Sequence, residues 1–349
     1  MRQTLSVLGL AVGLVVLPPS SRAQDASRLG PAPFVNGRFQ NSEPMAPQGG
    51  TFLRFGFFAR RIGTSIVGRS GAPESVKNDG AFLRENHGHS VATATWIGHS
   101  TVLLQIGGVS FLTDPTWSGR ASPVAFAGPR RFVPPGLALD DLPPIDFVVI
   151  SHNHYDHLDL DTLRRLTERG GDTRFLVPKG NGALLQENEI GPVEELDWGE
   201  HVAVGRVRVY CTPAQHKSQR GVRDGMRALW SSWAFVAPDR RVYFGGDTGY
   251  FRGFARIADA LAPFDLAFLP IGAYEPQAMM RPVHLDPEQA IEAARDLRTS
   301  RVMGIHFGTF DLSDEPLDEP PRRFRAAGAA AGFKDEQLWI LNVGETRKF

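Results

Sequence analysis

The sequence predicts an α/β fold in which two β-sheets pack together with helices outside them. Three observations carry that expectation. Short apolar, β-branched runs recur along residues 91–345, each of strand rather than helix length. Helical patterns intervene at Asp161–Glu168 and Pro287–Leu297. Side chains able to bind metal (His152, His216, Asp247 and His306) each follow such a run within a few residues. Ligands at like ends of several strands converge on one edge of a sheet pair, where α/β folds place their sites.

Taken in order, Val91–Ile97 and Thr101–Ile106 read as strands joined through Gly98, His99 and Ser100. Gly107-Gly108 is a two-residue hairpin signal before Val109–Leu112, and Thr113-Asp114-Pro115 ends that strand. Asp114 and His99 fall close to the expected site, and their preferred reading is structural: a turn-capping Asp and a packed His. Phe147–Ile150 reads as a buried strand, and Leu160, Leu163 and Leu166 as one face of the helix that follows. Further strands are expected at Val207–Cys211, Leu229–Phe235, Val242–Phe244, Asp265–Pro270, Val302–Ile305 and Trp339–Val343. Asp286 should cap the second helix, with Pro287 at its first position and Gln289 completing a capping box.

Composition excludes several classes. The 349 residues hold 38 basic and 38 acidic side chains, a formal net charge of zero. Phosphate tracking needs a basic surplus, so nucleic acid is not the expected partner. A single cysteine, Cys211, rules out an internal disulfide and a Cys-based zinc site; it reads as a small buried strand residue. There is neither a Gly-x-Ser-x-Gly elbow nor a P-loop.

The N-terminal region is organised differently. Met1-Arg2, the uncharged run Leu5–Leu17, Pro18-Pro19 and the small residues Ser21 and Ala23 form a secretory signal pattern. Residues 1–23 are therefore expected to be removed, with export to the periplasm or medium. Residues 24–90 read as an extension packing on the domain, and 91–349 as the catalytic domain. Within the extension, Thr51–Gly63 crowds four Phe and Leu53 with three Arg. It either lies in a membrane interface or packs its rings on the core and leaves the arginines in water. Residues 64–88 read as a linker.

The chemistry concentrates at Ser151–His157. His152, His154, Asp156 and His157 are four potential metal ligands within six residues, and three of the chain's 10 histidines fall here. The run sits on a strand-to-helix turn, and imidazole with carboxylate suits zinc.

This spacing, His-x-His-x-Asp-His after an apolar strand, resembles the metallo-β-lactamase superfamily. The longer phrase Ile150–Asp159 resembles the N-acylphosphatidylethanolamine-hydrolysing phospholipase D family within it, as do Pro213–His216, Gly245–Tyr250, Pro270–Pro276, His284–Glu288 and Ile305–Thr309. The resemblance covers roughly residues 91–345 and, more weakly, 30–60. It implies an αββα metallo-β-lactamase sandwich holding two Zn²⁺ per chain. It further implies His152, His154 and His216 on one ion, Asp156, His157 and His306 on the other, and Asp247 bridging both. An anionic bridge is what two neighbouring cations need. Two Zn²⁺, two Asp and one hydroxide leave a single positive charge, suited to a phosphodiester.

The implied activity is hydrolysis of N-acylphosphatidylethanolamine or a related phospholipid by metal-activated water, with Asp156 also orienting that water. The resemblance places His284 at the mouth of the site, able to donate to a phosphoryl oxygen or protonate the leaving alcohol. Asp159, Thr212 and Thr248 are candidates to support the ligands, with capping as their default role. Arg220, Arg223 and Arg227 have no assigned role. A lactonase or β-lactamase is the alternative on the same scaffold, and a non-enzymatic metal-dependent binding protein is a third reading.

Overall fold

A computed structural model describes residues 25–53, 55–57, 60, 71–89 and 91–349. In the N-terminal arm, β1 (Phe34–Val35) and β2 (Arg38–Phe39) form a short hairpin. The first half of the domain contributes β3 (Thr93–Gly98), β4 (Thr101–Ile106), β5 (Val109–Thr113), β6 (Phe147–Val149), β7 (Arg174–Pro178) and β8 (Val193–Leu196). The second contributes β9 (His201–Val204), β10 (Val207–Thr212), β11 (Ser232–Val236), β12 (Arg241–Phe244), β13 (Leu266–Pro270), β14 (Val302–Ile305) and β15 (Leu338–Trp339); β16 (Thr346–Lys348) follows. The helices are α1 (Ala81–Asn86), α2 (Leu160–Glu168), α3 (Gly182–Gln186), α4 (Gly253–Leu261), α5 (Gln277–Met280), α6 (Pro287–Asp296) and α7 (Glu319–Ala330).

Two seven-stranded sheets result, in the orders β16-β3-β4-β5-β6-β7-β8 and β15-β14-β13-β12-β11-β10-β9. Each is antiparallel in one part and parallel in the other. The first becomes parallel at β5–β6, the second at β12–β13. Side-chain alternation explains the layering. Phe147 and Val149 of β6 join the core between the sheets, whereas Val148 and Ile150 join a second cluster with Leu163 and Leu166 of α2. Strands buried on both faces read as unbroken apolar runs for this reason. Phe111 stacks on Phe147 at 4.3 Å and reaches Phe235 of the opposite sheet at 4.6 Å. Truncating such a ring to Ala costs about 3–5 kcal/mol. On the far side, Phe254, Ile257 and Leu261 of α4 and Ala290, Ile291 and Ala294 of α6 cover the second sheet. The architecture is the αββα sandwich.

The structure changes several local expectations. Leu229–Ser231 is not part of β11; Leu229 and Ser231 donate their backbone N–H groups to Lys179 and Ser151, tying the two sheets together. The final expected strand shrinks to Leu338–Trp339, because Val343 bonds instead with Glu74 and Val76. Residues 71–89 are therefore not a free linker: they also form α1, whose Leu83 is buried. Cys211 is buried as expected, and burial pushes its thiol pKa up. Residues 1–23 lie outside the described residues, as does part of Thr51–Gly63. Within that run Phe57 is buried, while Phe52 and Phe55 are exposed. No helix among the described residues is long and apolar enough to cross a membrane.

Candidate metal centre

Four chain segments meet at one edge of the sandwich. After β6 the chain makes a tight turn, with the N–H groups of His157 and Leu158 both donating to the His154 carbonyl at 3.1 and 2.9 Å. Asp159 closes it by capping α2, its carboxylate accepting from Thr162 N. His216 follows β10, Asp247 follows β12 and His306 follows β14. The β12 turn needs Gly246: its φ is +57°, and a Cβ there would lie 2.5 Å from the Ser151 Cβ. Three non-glycine residues at the site also have positive φ, namely His99, Asp114 and His306. Each such conformation costs about 1–2 kcal/mol, so backbone strain gathers where the ligands are presented.

The ligand atoms fall into two groups. In one, His152 Nε2 and His154 Nδ1 are 2.7 Å apart, His154 Nδ1 and His216 Nε2 are 3.3 Å apart, and Asp247 Oδ2 lies 3.8–3.9 Å from His216 and His152. In the other, Asp156 Oδ2 is 3.3 Å from His157 Nε2 and 3.4 Å from His306 Nε2. Asp247 reaches this second group as well, with Oδ2 3.3 Å from His157 Nε2 and Oδ1 3.1 Å from His306 Nε2. Atoms bound tetrahedrally about 2.0–2.1 Å from a common ion sit about 3.3 Å apart. His157 Nε2, His306 Nε2 and Asp247 Oδ1 are buried and make no hydrogen bond among the described residues. A shared cation accounts for such atoms, and each group is chemically able to hold a divalent metal.

Outer hydrogen bonds set which ring nitrogen faces inward. His157 Nδ1 pairs with Asp114 Oδ2 at 2.6 Å, His216 Nδ1 with the Val283 carbonyl at 2.8 Å, and His152 Nδ1 with Ser151 Oγ at 2.9 Å. Each leaves Nε2 for the site, the arrangement that fixes the tautomer of a metal-binding imidazole.

Electrostatics point the same way. Burial holds His152 and His216 well below the ordinary imidazole range and His154 at about 4, so these rings offer free lone pairs. Burial pushes Asp156 and Asp247 up, but the neighbouring His157 outweighs it and keeps both well below the usual carboxylate range. Burial pushes His157 and His306 down; the facing carboxylates win and raise them, His306 to about 9. The carboxylates thus demand positive charge in a buried space, which metal ions would supply in place of the two protons.

Asp114 and His99 were expected to be structural, and that expectation is corrected. Asp114 does not merely end a strand: besides His157 it accepts from Ser151 N and Oγ, both at 2.6 Å. His99 Nε2 meets Asp156 Oδ2 at 3.0 Å, and burial depresses its pKa to about 3. Its backbone carbonyl accepts from His306 N. Among the described residues, no hydrogen bond joins Asp159, Thr212 or Thr248 to a ligand-candidate side chain; Thr212 joins Ser232, and Thr248 accepts from Gln215 N. His284 does lie at the site, its Nδ1 3.7 Å from Asp247 Oδ2, with burial lowering its pKa to about 3.

One partner was missed entirely. Asn41 of the arm uses its side-chain amide to accept from His216 N at 3.0 Å and donate to His216 O at 2.9 Å. Trp230 Nε1 donates to the same Asn41 oxygen. No sequence signal links Asn41 to a residue 175 positions later.

Residues 110–307 match the model of the Beta-lactamase superfamily domain. The sandwich with its His/Asp edge thus defines a metal-dependent hydrolase of the β-lactamase fold. The chain is 42% identical over 271 residues to N-acyl-phosphatidylethanolamine-hydrolyzing phospholipase D 1 of Caenorhabditis elegans, covering 74% of this chain and 76% of that protein. It is 32% identical to the mitochondrial N-acyl-phosphatidylethanolamine-hydrolyzing phospholipase D of Saccharomyces cerevisiae, over 76% of this chain and 58% of that longer one. Among solved structures, the metallo hydrolase Igni18 of Ignicoccus hospitalis shares the fold, with a TM-score of 0.56 at 24% identity over 74% of this chain and 99% of that one. The chain belongs to the N-acylphosphatidylethanolamine-hydrolysing phospholipase D family of the metallo-β-lactamase superfamily.

Proposed function

We propose that the chain is a zinc-dependent phosphodiesterase of phospholipase D type, binding two ions and hydrolysing N-acylphosphatidylethanolamine or a related phospholipid. The observation that carries this reading is the position of Asp247, whose two carboxylate oxygens face both ligand groups. Its 42% identity to the worm enzyme supports the lipid substrate. His152, His154 and His216 would hold one ion and Asp156, His157 and His306 the other, with Asp247 shared. When bound, the ions would supply Lewis acidity towards a phosphoryl oxygen and make water nucleophilic near neutral pH.

The chain's own groups do the rest. Asp156 Oδ2, pinned by His99, fixes one side of the site and orients the attacking water. That water forms a new P–O bond, and the bond from phosphorus to the acylated ethanolamine oxygen breaks. The leaving oxygen takes a proton, giving an N-acylethanolamine and phosphatidic acid. His284 lies beside Asp247 and, as a neutral ring, donates a hydrogen bond where negative charge builds on the phosphoryl group. The outward Phe52 and Phe55 support peripheral contact with a bilayer, and the leader pattern in residues 1–23 supports export.

The test is a substrate panel on protein stripped of metal and reloaded with zinc. Phosphodiester cleavage that disappears on chelation and returns with zinc is expected. Turnover of a lactone or β-lactam in preference to every phospholipid would replace this reading with the alternative hydrolase.

A further inference from the structure

The segment 217–227, whose arginines sequence reasoning left without a role, lies against the metal-binding turn. Arg220 Nη1 donates to the Asn153 carbonyl at 3.0 Å and to the Leu158 carbonyl at 2.8 Å. These two carbonyls bracket His154, Asp156 and His157, so a single nitrogen ties together the two ends of the segment that carries three of the turn's four candidates. Its guanidinium also covers the Tyr155 ring at 4.0 Å, and Tyr155 Oη donates back to the Arg220 carbonyl at 3.1 Å. Asp224 holds the Arg220 loop from behind, accepting from Arg220 N and Gly221 N.

The turn accounts for few of its own carbonyls. His154 O is used locally and Asp156 O accepts from Thr116 Oγ1 at 3.2 Å, but Asn153 O and Leu158 O depend on Arg220. Both belong to buried residues. Backbone groups in such positions need a partner, and without one the turn gains freedom to shift. We propose that Arg220 is a positioning residue for the metal centre, fixing the turn that presents His154, Asp156 and His157. Arginine suits the task because its plane stacks on Tyr155 while one edge meets both carbonyls; a lysine ammonium offers the charge without the stacked plane. The inference rests on the metal reading above and adds a residue that touches no metal.

A competing role is direct. Arg220 lines a cavity of about 550 Å³ together with Arg120, Arg164 and Arg227, and there it would bind an anionic substrate. The experiment separates the two. Zinc affinity is measured by chelator competition on metal-free wild type, Arg220→Ala, Arg220→Lys and Arg223→Ala, followed by kcat and KM at saturating zinc. Arg223 is exposed on the same loop and controls for charge. The expected result is zinc binding weakened about 10–100-fold in Arg220→Ala, as for partners that orient metal ligands. Arg220→Lys falls between, Arg223→Ala matches wild type, and KM stays unchanged. Wild-type zinc affinity in Arg220→Ala with a raised KM would overturn the proposal in favour of substrate binding. Equal losses in Arg220→Ala and Arg223→Ala would overturn it in favour of loop charge. If Arg220→Ala does not fold, Arg220→Lys decides by the same two readouts. Wild-type protein that takes up no zinc would overturn the metal reading itself, before any variant is compared.

Discussion

Four of the seven ligand candidates come from a single turn after β6, whereas the second sheet supplies His216, Asp247 and His306 one at a time from the ends of three strands. The turn is compact, with two local hydrogen bonds to the His154 carbonyl and with Asp114 and Arg220 bracing it from outside. Each residue of the distributed set instead has its own distant support. His216 depends on Asn41 and Val283, Asp247 on the close approach that Gly246 permits, and His306 on the His99 carbonyl. The lesson is that a clustered motif concentrates its vulnerability in a few braces, while a scattered one spreads it over many long-range contacts.

Asp247 belongs to both groups, so breaking it should have the largest effect. Asp247→Asn keeps the shape and removes the charge; metal analysis should find one equivalent or fewer in place of two. Activity should fall by more than the roughly 100-fold upper range for partners outside the ligand shell. Two equivalents and full activity in this variant would separate the groups altogether. Next comes His284, which touches the site without belonging to either group. His284→Ala should lower kcat by about 10²-fold with both metals retained. Unchanged kcat on a phosphodiester would remove it from the catalytic list.

The braces sharpen the comparison further. Asp114→Asn removes the charge behind His157 and should weaken zinc binding by about 10–100-fold, read by chelator competition. Asn41→Ala loses two hydrogen bonds to the His216 backbone. At about 0.5–1.5 kcal/mol for each bond, thermal or urea unfolding should show a loss of about 1–3 kcal/mol. Zinc loss should be confined to the three-His group. If Asn41→Ala weakens both groups equally, the distributed set is less independent than its geometry suggests.

The same contrast governs what the sequence revealed. The turn's candidates were legible because four fall within six residues, and the later candidates because each follows an apolar run within a few residues. Asp114 was misjudged because its role depends on strand pairing: β5 runs parallel to β6 with Thr113 opposite Val149, which sets Asp114 beside Ser151. Nothing in the local phrase Thr113-Asp114-Pro115 carries that register. The edge strands β8 and β9 were missed because they are half-exposed and short, with no clear alternation. Helix α6 was legible to its cap, because Asp286, Pro287 and Gln289 act on groups within one turn of themselves.

The Asn41 clamp also has a consequence in time. During synthesis Asn41 leaves the ribosome 175 residues before His216 does. At about 5–20 residues per second, the arm waits on the order of 9 to 35 seconds for the ligand it must hold. His306 emerges later still. The three-His group therefore cannot form before His216 has emerged, and a metal ion met before then has only the β6 turn to bind. Loading of the complete centre must wait for His306, the last of the seven candidates to be made.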